Sequence, residues 1–254
     1  MVHFVGAGCG AADLITVRGA RLLADVVIYA GSLVNPELLK GTKEGCEIHD
    51  SARMTLPQVL RVMERAEEEK KTTVRLHTGD PSLYGAIREQ MDRLEAMGIA
   101  YDVCPGVSSF NGAAASLGAE LTLPEVSQTV IITRMAGRTA VPEKEGFRSL
   151  AAHHATMAVF LSAGLLAEME QELHEAGYRP DTPAAIVYKA TWPEEKTARC
   201  TVSTLRETAE REGIRKTAMI LIGDVLGTRE ENGYADSRLY APDFTTEFRK
   251  GTDA

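Results

Sequence analysis

The chain has 254 residues, enough for two modest domains rather than one small core. Its hydrophobic share of 44% and charged share of 25% are ordinary globular composition. The net charge of −8 argues against nucleic acid or an anionic membrane as the main partner, so an anionic ligand must be met by a specific basic patch.

The start, MVHFVGAGCG, has no basic segment ahead of an apolar run, which predicts no signal peptide. Apolar stretches such as VVIYA and MILIG are far too short to span a bilayer. Cys9, Cys46, Cys104 and Cys200 are scattered, with no CxxC pair. They read as idle thiols in a reducing cytoplasm, not as a zinc site or a disulfide framework.

In chain order, Val2–Val5 reads as a strand ending at Gly6, Val17–Leu23 as a short helix and Val26–Tyr29 as the next strand. Leu56, Val59, Leu60 and Met63 share one face of a helix over Leu56–Glu68. Thr73–His77 is a strand. A helix from Leu83 would carry Leu83, Ile87, Met91 and Leu94 on one stripe and stop at Gly98. Tyr101–Cys104 is a strand, followed by an Ala-rich helix ending near Gly118. In the second half, Val130–Thr133, Met157–Leu161, Ala185–Lys189, Thr197–Val202 and Ala218–Ile222 read as strands. A helix spans Leu165–Ala176, and Thr204 with Glu207 offers a capping box for another. Beyond Gly223 the tail is polar, with Tyr234, Tyr240, Phe244 and Phe248 spaced for docking on the body or a partner.

This alternation predicts an α/β fold of two α/β domains. The Pro124-containing stretch Glu120–Val126 is the expected hinge. The domains would be residues 1–120 and 121–254, with the tail from about 224. No sequence repeat is visible.

Three glycine-containing turns stand at predicted strand ends. Gly6-Ala7-Gly8-Cys9-Gly10-Ala11 satisfies the loose GxGxxG/A pattern, which lets backbone approach a ligand closely. A dinucleotide site also wants an acid at the end of the second strand, but Ala30-Gly31-Ser32 stands there, so a nicotinamide-dependent oxidoreductase is a minority alternative. His77-Thr78-Gly79-Asp80-Pro81 reads either as a well-capped helix start, with Asp80 as N-cap and Pro81 in the first turn, or as a ligand loop. The third turn is Pro105-Gly106-Val107-Ser108-Ser109. Three such turns converging on one pocket would make a site. His77 reads as a satisfied structural histidine. The adjacent His153 and His154 point apart, so no metal site is expected.

GAGCGAADLIT, HTGDPSLYGAIREQ, PGVSSF, TRMAGRTAVPE, YKATWPEE and GIRKTAMILIG, taken together and in this order, resemble the tetrapyrrole methyltransferases of cobalamin synthesis. The first three motifs are shared with uroporphyrinogen-III methyltransferases and diphthine synthases. The last three resemble the cobalt-precorrin-4/precorrin-4 C-11 subfamily. The resemblance covers nearly the whole chain. It implies a class III methyltransferase fold, a homodimer, and S-adenosyl-L-methionine (SAM) in a cleft between the domains. The reaction it implies is SAM-dependent methylation of C-11, with other ring positions as the alternative within the family, and a non-catalytic binder of this fold as a third reading.

Carried over by position, the cofactor would touch Cys9, Thr78, Gly79, Asp80, Leu83, Ser108, Ser109, Leu161, Ala190 and Ala218. The acetate and propionate groups of an anionic tetrapyrrole need cations, for which Arg134 and Arg138 are the candidates, followed by Lys189. Tyr84 is a candidate for the substrate trough, and Trp192 for the cleft rim or the fold. Three departures from the family pattern stand out. Cys9 replaces a proline, Gly31 stands near the place of a proposed base, and the link RLLADVV is a residue or two short. No catalytic residue is assigned.

Overall fold

Ten strands in two sheets carry the architecture of this chain, seen in a computed structural model that describes residues 1–23 and 25–252. Ala24, in the shortened link, lies outside the described residues. Contacts divide the chain into two units: Met1–Ala113 with Lys189–Glu195, and Ala114–Tyr188 with Lys196–Ala254.

The first unit holds β1 (Val2–Gly6), β2 (Val26–Tyr29), β3 (Glu47–Asp50), β4 (Thr73–His77) and β5 (Tyr101–Cys104), all parallel, in the order β3-β2-β4-β1-β5. β1 and β4 are buried throughout, as expected of central parallel strands covered on both faces. Alternate residues feed two cores. Val5, Val27, Val74, Leu76 and Cys104 pack in one; Phe4, Ile28, Val59, Met63 and Leu94 pack in the other. The helices are α1 (Val17–Leu22), α2 (Leu56–Glu68), α3 (Arg88–Ala96) and α4 (Ser109–Leu117), the last continuing past Ala113. Thr55 and Gln58 form a capping box that starts α2, whose Val59, Met63 and Ala66 are buried on one stripe.

The helix expected from Leu83 begins instead at Arg88. Tyr84 (φ 57°) and Ala86 (φ 50°) adopt left-handed backbone, which breaks the helical ladder before it forms. Asp80 and Pro81 therefore cap a turn, not a helix. Ile87 and Met91 still pack against the second core with Leu94, while Leu83 and Tyr84 fall outside the helix. A second expectation fails for a similar reason. The Thr204 hydroxyl is spent on the Thr201 amide, 3.0 Å away, so it makes no side-chain cap for the helix that follows.

The second unit carries a mixed sheet in the order β6-β7-β10-β8-β9: β6 (Val130–Arg134), β7 (Thr156–Phe160), β8 (Pro183–Tyr188), β9 (Lys196–Thr201) and β10 (Ala218–Ile222). Its core gathers Met157, Val159, Ile186, Ile220 and Ile222 with side chains from α5 (Phe147–Ala151), α6 (Leu166–Glu175) and α7 (Leu205–Glu212). No helix among the described residues is long and apolar enough to cross a membrane.

β4 buries two basic side chains. Arg75 is 8% exposed and finds neutral partners, the Gln90 amide oxygen at 3.3 Å and the Ile28 carbonyl at 3.2 Å. Burial lowers its guanidinium to about 10, so it stays charged at neutral pH. His77 is buried against Phe4, and its Nε2 has no hydrogen-bond partner among the described residues, so it is structural but not satisfied. Burial, reinforced by Arg75, lowers its pKa from 6.5 to about 3. The unfolded chain therefore takes a proton at His77 before the folded chain does, and His77 costs stability as pH falls from about 6.5 towards about 3. Urea unfolding of His77→Phe should show a shallower pH dependence across that window than the unaltered chain, by up to about 1.4 kcal/mol per pH unit. Equal slopes would mean that His77 is protonated, or solvated, in the folded state.

Candidate functional site

The sheet order places β4, β1 and β5 side by side, so the turns that leave their carboxyl ends are neighbours. Backbone groups tie them together. The Ala7 amide donates to the His77 carbonyl at 2.7 Å. Gly8 and Gly79 exchange two hydrogen bonds, Gly79 N to Gly8 O at 2.8 Å and Gly8 N to Gly79 O at 3.3 Å. Both adopt positive φ, 80° and 62°, which costs glycine little.

The third turn is held by Asp80. One carboxylate oxygen accepts the Gly106 amide at 2.7 Å; the other accepts the Ser82 amide at 2.8 Å and the Ser82 hydroxyl. Burial acts to raise this carboxyl, but the Ser82 and Gly106 donors outweigh it and hold it below the usual carboxylate range. Glycine at 6 and 106 is a steric requirement. A Cβ on Gly6 would lie 2.5 Å from Gly106 Cα, and one on Gly106 would lie 2.2 Å from the Gly79 carbonyl oxygen.

The third turn runs into α4, whose first residue is Ser109. Gly79 faces it: a Cβ there would sit 3.5 Å from Ser108 Cα and from Ser109 N. The first unit thus brings Cys9, Gly79, Asp80, Ser108 and Ser109 to one set of turns. Ala190 joins them, its carbonyl 2.6 Å from where a Gly10 Cβ would be. Thr78 spends its hydroxyl on the Leu33 carbonyl at 2.8 Å. Leu83 and Tyr84 lie on the segment after Asp80, with Tyr84 45% exposed. Lys189 pairs with Glu194 at 3.3 Å, its ammonium 5.1 Å over the Trp192 ring, so its charge is engaged locally.

The Cys9 thiol is buried and lies 3.5 Å from the Thr191 hydroxyl. Burial pushes its pKa up, so the thiol stays protonated and is no nucleophile at neutral pH. Cys9, His77 and Asp80 are therefore a protonated thiol, a neutral imidazole and a carboxylate whose two oxygens are already occupied.

In the second unit, strand register places Arg134 (opposite Phe160) and Ala218 (opposite Tyr188) at one end of the sheet. Leu161 follows β7 there with φ 53° and is 72% exposed. Behind it the wholly buried Ser162 accepts the Met135 amide at 2.9 Å and donates to the Phe160 carbonyl at 2.7 Å. The Arg134 guanidinium donates to the carbonyls of Met135, Thr139 and Ala140, at 3.2, 3.1 and 2.6 Å. It organises the loop that carries Arg138, which is exposed. Sequence reasoning proposed both arginines as anion ligands and did not foresee that Arg134 gathers three carbonyls of its own loop. It named Gly6 and Gly106 only as members of glycine turns, without the close backbone approach that makes them obligatory.

Residues 1–206 match the family model for tetrapyrrole (corrin/porphyrin) methylases. The chain belongs to this family. It is therefore a methyltransferase, and the two-sheet α/β architecture is the family's class III methyltransferase fold. It is 52% identical to the cobalt-precorrin-4 C(11)-methyltransferase of Methanocaldococcus jannaschii over 98% of this chain and 96% of that one. An X-ray structure of a cobalt precorrin-4 methyltransferase, 48% identical, superimposes with a TM-score of 0.88 over 89% of this chain and 96% of its own. A uroporphyrin-III C-methyl transferase of Thermus thermophilus, solved with S-adenosylhomocysteine, is 26% identical with a TM-score of 0.72 over 94% of each chain. The nicotinamide alternative falls with the family assignment.

Gly106→Ala should lower stability by about 1–3 kcal/mol, the usual range for an overpacked contact. Gly41→Ala, whose Cβ would meet only the Leu23 side chain at 3.8 Å, should change it little. Thermal unfolding of the two variants checks this; equal midpoints would show that the turns have room to separate.

Proposed function

We propose that this chain transfers a methyl group from SAM to C-11 of cobalt-precorrin-4. The observation that carries the donor half of this reading is the set of turns joined by Gly8, Gly79, Asp80 and Gly106. The full-length likeness to a C(11)-methyltransferase carries the ring position. The cobalt form follows the names of that relative and of the solved neighbour.

The residues fit the cofactor. The first amides of α4 have no acceptor within the helix, and a helix head suits a carboxylate such as that of the methionyl group. Small residues at Gly8, Cys9, Gly79, Ser108 and Ala190 let a ligand approach the backbone closely, where carbonyls keep a second lone pair for ribose and adenine donors. Thr78, Asp80, Leu83 and Ser109 complete the proposed set in the first unit. Leu161 and Ala218 are assigned by chemistry, an exposed apolar side chain and a small one, both suited to a purine.

When bound, this cofactor supplies a methyl group on a sulfonium, open to attack by an electron-rich ring carbon. The chain's own residues bind, orient and keep out water, and alignment of this kind lowers a barrier without an acid, base or nucleophile. The protonation states of Cys9, His77 and Asp80 agree with that, and no general base is assigned. The substrate's carboxylates are met by Arg138 on the loop that Arg134 shapes, with Tyr84 and Lys189 as further contacts. The protein works in the cytoplasm as a homodimer.

Incubation with methyl-labelled SAM and either cobalt-precorrin-4 or precorrin-4, followed by product mass and carbon assignment, tests the reading. One labelled methyl at C-11, transferred faster to the cobalt form, is expected; no transfer to either would refute it. In the same assay Arg138→Ala should raise the KM for the tetrapyrrole about tenfold, as for a lost charge-assisted contact, and leave affinity for S-adenosylhomocysteine unchanged. The opposite pattern would move Arg138 to the cofactor.

A further inference from the structure

β8 and β9 are antiparallel neighbours in the second sheet, yet the residues joining them, Lys189–Glu195, cluster with the first unit. Thr191 and Trp192 stand at the centre of this segment, and nothing in the methyl-transfer reading uses their side chains. Both spend their polar atoms on the backbone of the first glycine turn. The Thr191 hydroxyl accepts the Ala11 amide at 3.0 Å, and the Trp192 indole N–H donates to the Cys9 carbonyl at 3.1 Å. These two bonds flank Gly10, whose own carbonyl accepts the Asn35 side-chain amide at 2.9 Å. The fit at Gly10 leaves no room for a side chain: a Cβ would lie 2.3 Å from Trp192 Cδ1 and 2.8 Å from Thr191 Oγ1.

The segment is held in a costly conformation. Lys189 (φ 46°) and Thr191 (φ 67°) both occupy left-handed backbone, and for a β-branched residue that is a genuine outlier. Local bonds hold it there. The Thr191 amide donates to the Glu195 carboxylate, the Trp192 amide donates to the Lys189 carbonyl at 3.0 Å, and the Glu195 amide donates to the Trp192 carbonyl at 3.0 Å. A plain hairpin link needs neither this strain nor two hydrogen bonds to a turn some 180 residues earlier in the chain.

We propose that Thr191 and Trp192 are positioning residues that hold the Cys9-Gly10-Ala11 backbone in the shape that receives the methyl donor. This inference rests on the assignment of the glycine turns to SAM. Each side chain fixes one backbone group whose movement would turn the Cys9 peptide away from Gly8 and Gly79. The effect falls on donor affinity, not on the tetrapyrrole or the chemical step.

Trp192 is the chain's single tryptophan, so its emission reports on this contact directly. Titration of the unaltered full chain with S-adenosylhomocysteine should shift that emission with the same midpoint that calorimetry gives. Thr191→Val removes the acceptor and keeps the shape; it should weaken S-adenosylhomocysteine about tenfold, the order expected when an amide loses its partner. Trp192→Phe keeps a ring and loses the N–H, and should weaken it about fivefold by calorimetry. Thr191→Ser, which retains the hydroxyl, should bind within about twofold of the unaltered chain. In turnover, KM for SAM should rise in the weakened variants while kcat and KM for the tetrapyrrole hold. Should Thr191→Val fail to fold, Trp192→Phe and Thr191→Ser still decide the matter. Undiminished affinity in folded Thr191→Val and Trp192→Phe overturns the inference alone, as does a silent tryptophan during calorimetric binding. No binding by the unaltered chain would overturn the donor assignment itself, and the inference with it.

Discussion

Two hydrogen bonds between Gly8 and Gly79, each donating its amide to the other's carbonyl, tie the first two turns of the molecule to each other. Asp80 extends the tie by accepting the Gly106 amide, so the loops leaving β1, β4 and β5 are cross-linked through backbone. Parallel pairing of these three strands in the order β4-β1-β5 is what makes such linkage geometrically available. Glycine makes it sterically available, because Gly6 and Gly106 approach more closely than any side chain permits. A polar surface built this way is rigid before any ligand arrives, so little ordering cost falls on binding.

That rigidity accounts for the sparse side-chain chemistry at the turns. Three titratable groups there are engaged in structure: Cys9 buried and protonated, His77 buried and neutral, Asp80 ionised and accepting from Ser82 and Gly106. A reaction that needs only two carbons and a sulfur held in line is compatible with such a site. The overall charge of −8 leaves recognition of an acidic macrocycle to local cations. In the proposed function Arg138 takes that role, on a loop whose three carbonyls are gathered by Arg134.

Much of this was legible in the sequence, because strand and helix periods are local properties. The central strands, the stripe of α2 and the three glycine turns all follow from residues within a few positions of one another. β3 did not announce itself: Glu-Ile-His-Asp at a sheet edge has no apolar alternation to detect. The start of α3 was misplaced because Asp80 carries a good capping signal that the fold diverts to Ser82 and Gly106. The role of Thr191 and Trp192 was invisible for a different reason. Their partners lie some 180 residues away, and a contact of that range leaves no local pattern. Motif resemblance placed Ala190 among the cofactor residues but gave no account of why its neighbours adopt strained backbone.

The central claim is that cross-linked backbone turns of the first unit receive the methyl donor. A crystal structure of the chain grown with S-adenosylhomocysteine tests it most directly. The account predicts ligand density against Gly79, Ser108 and Ala190, with a carboxylate at the head of α4 and the Gly8–Gly79 bonds intact. Density at a place formed by none of these turns, or a Gly8–Gly79 pair broken on binding, would contradict it.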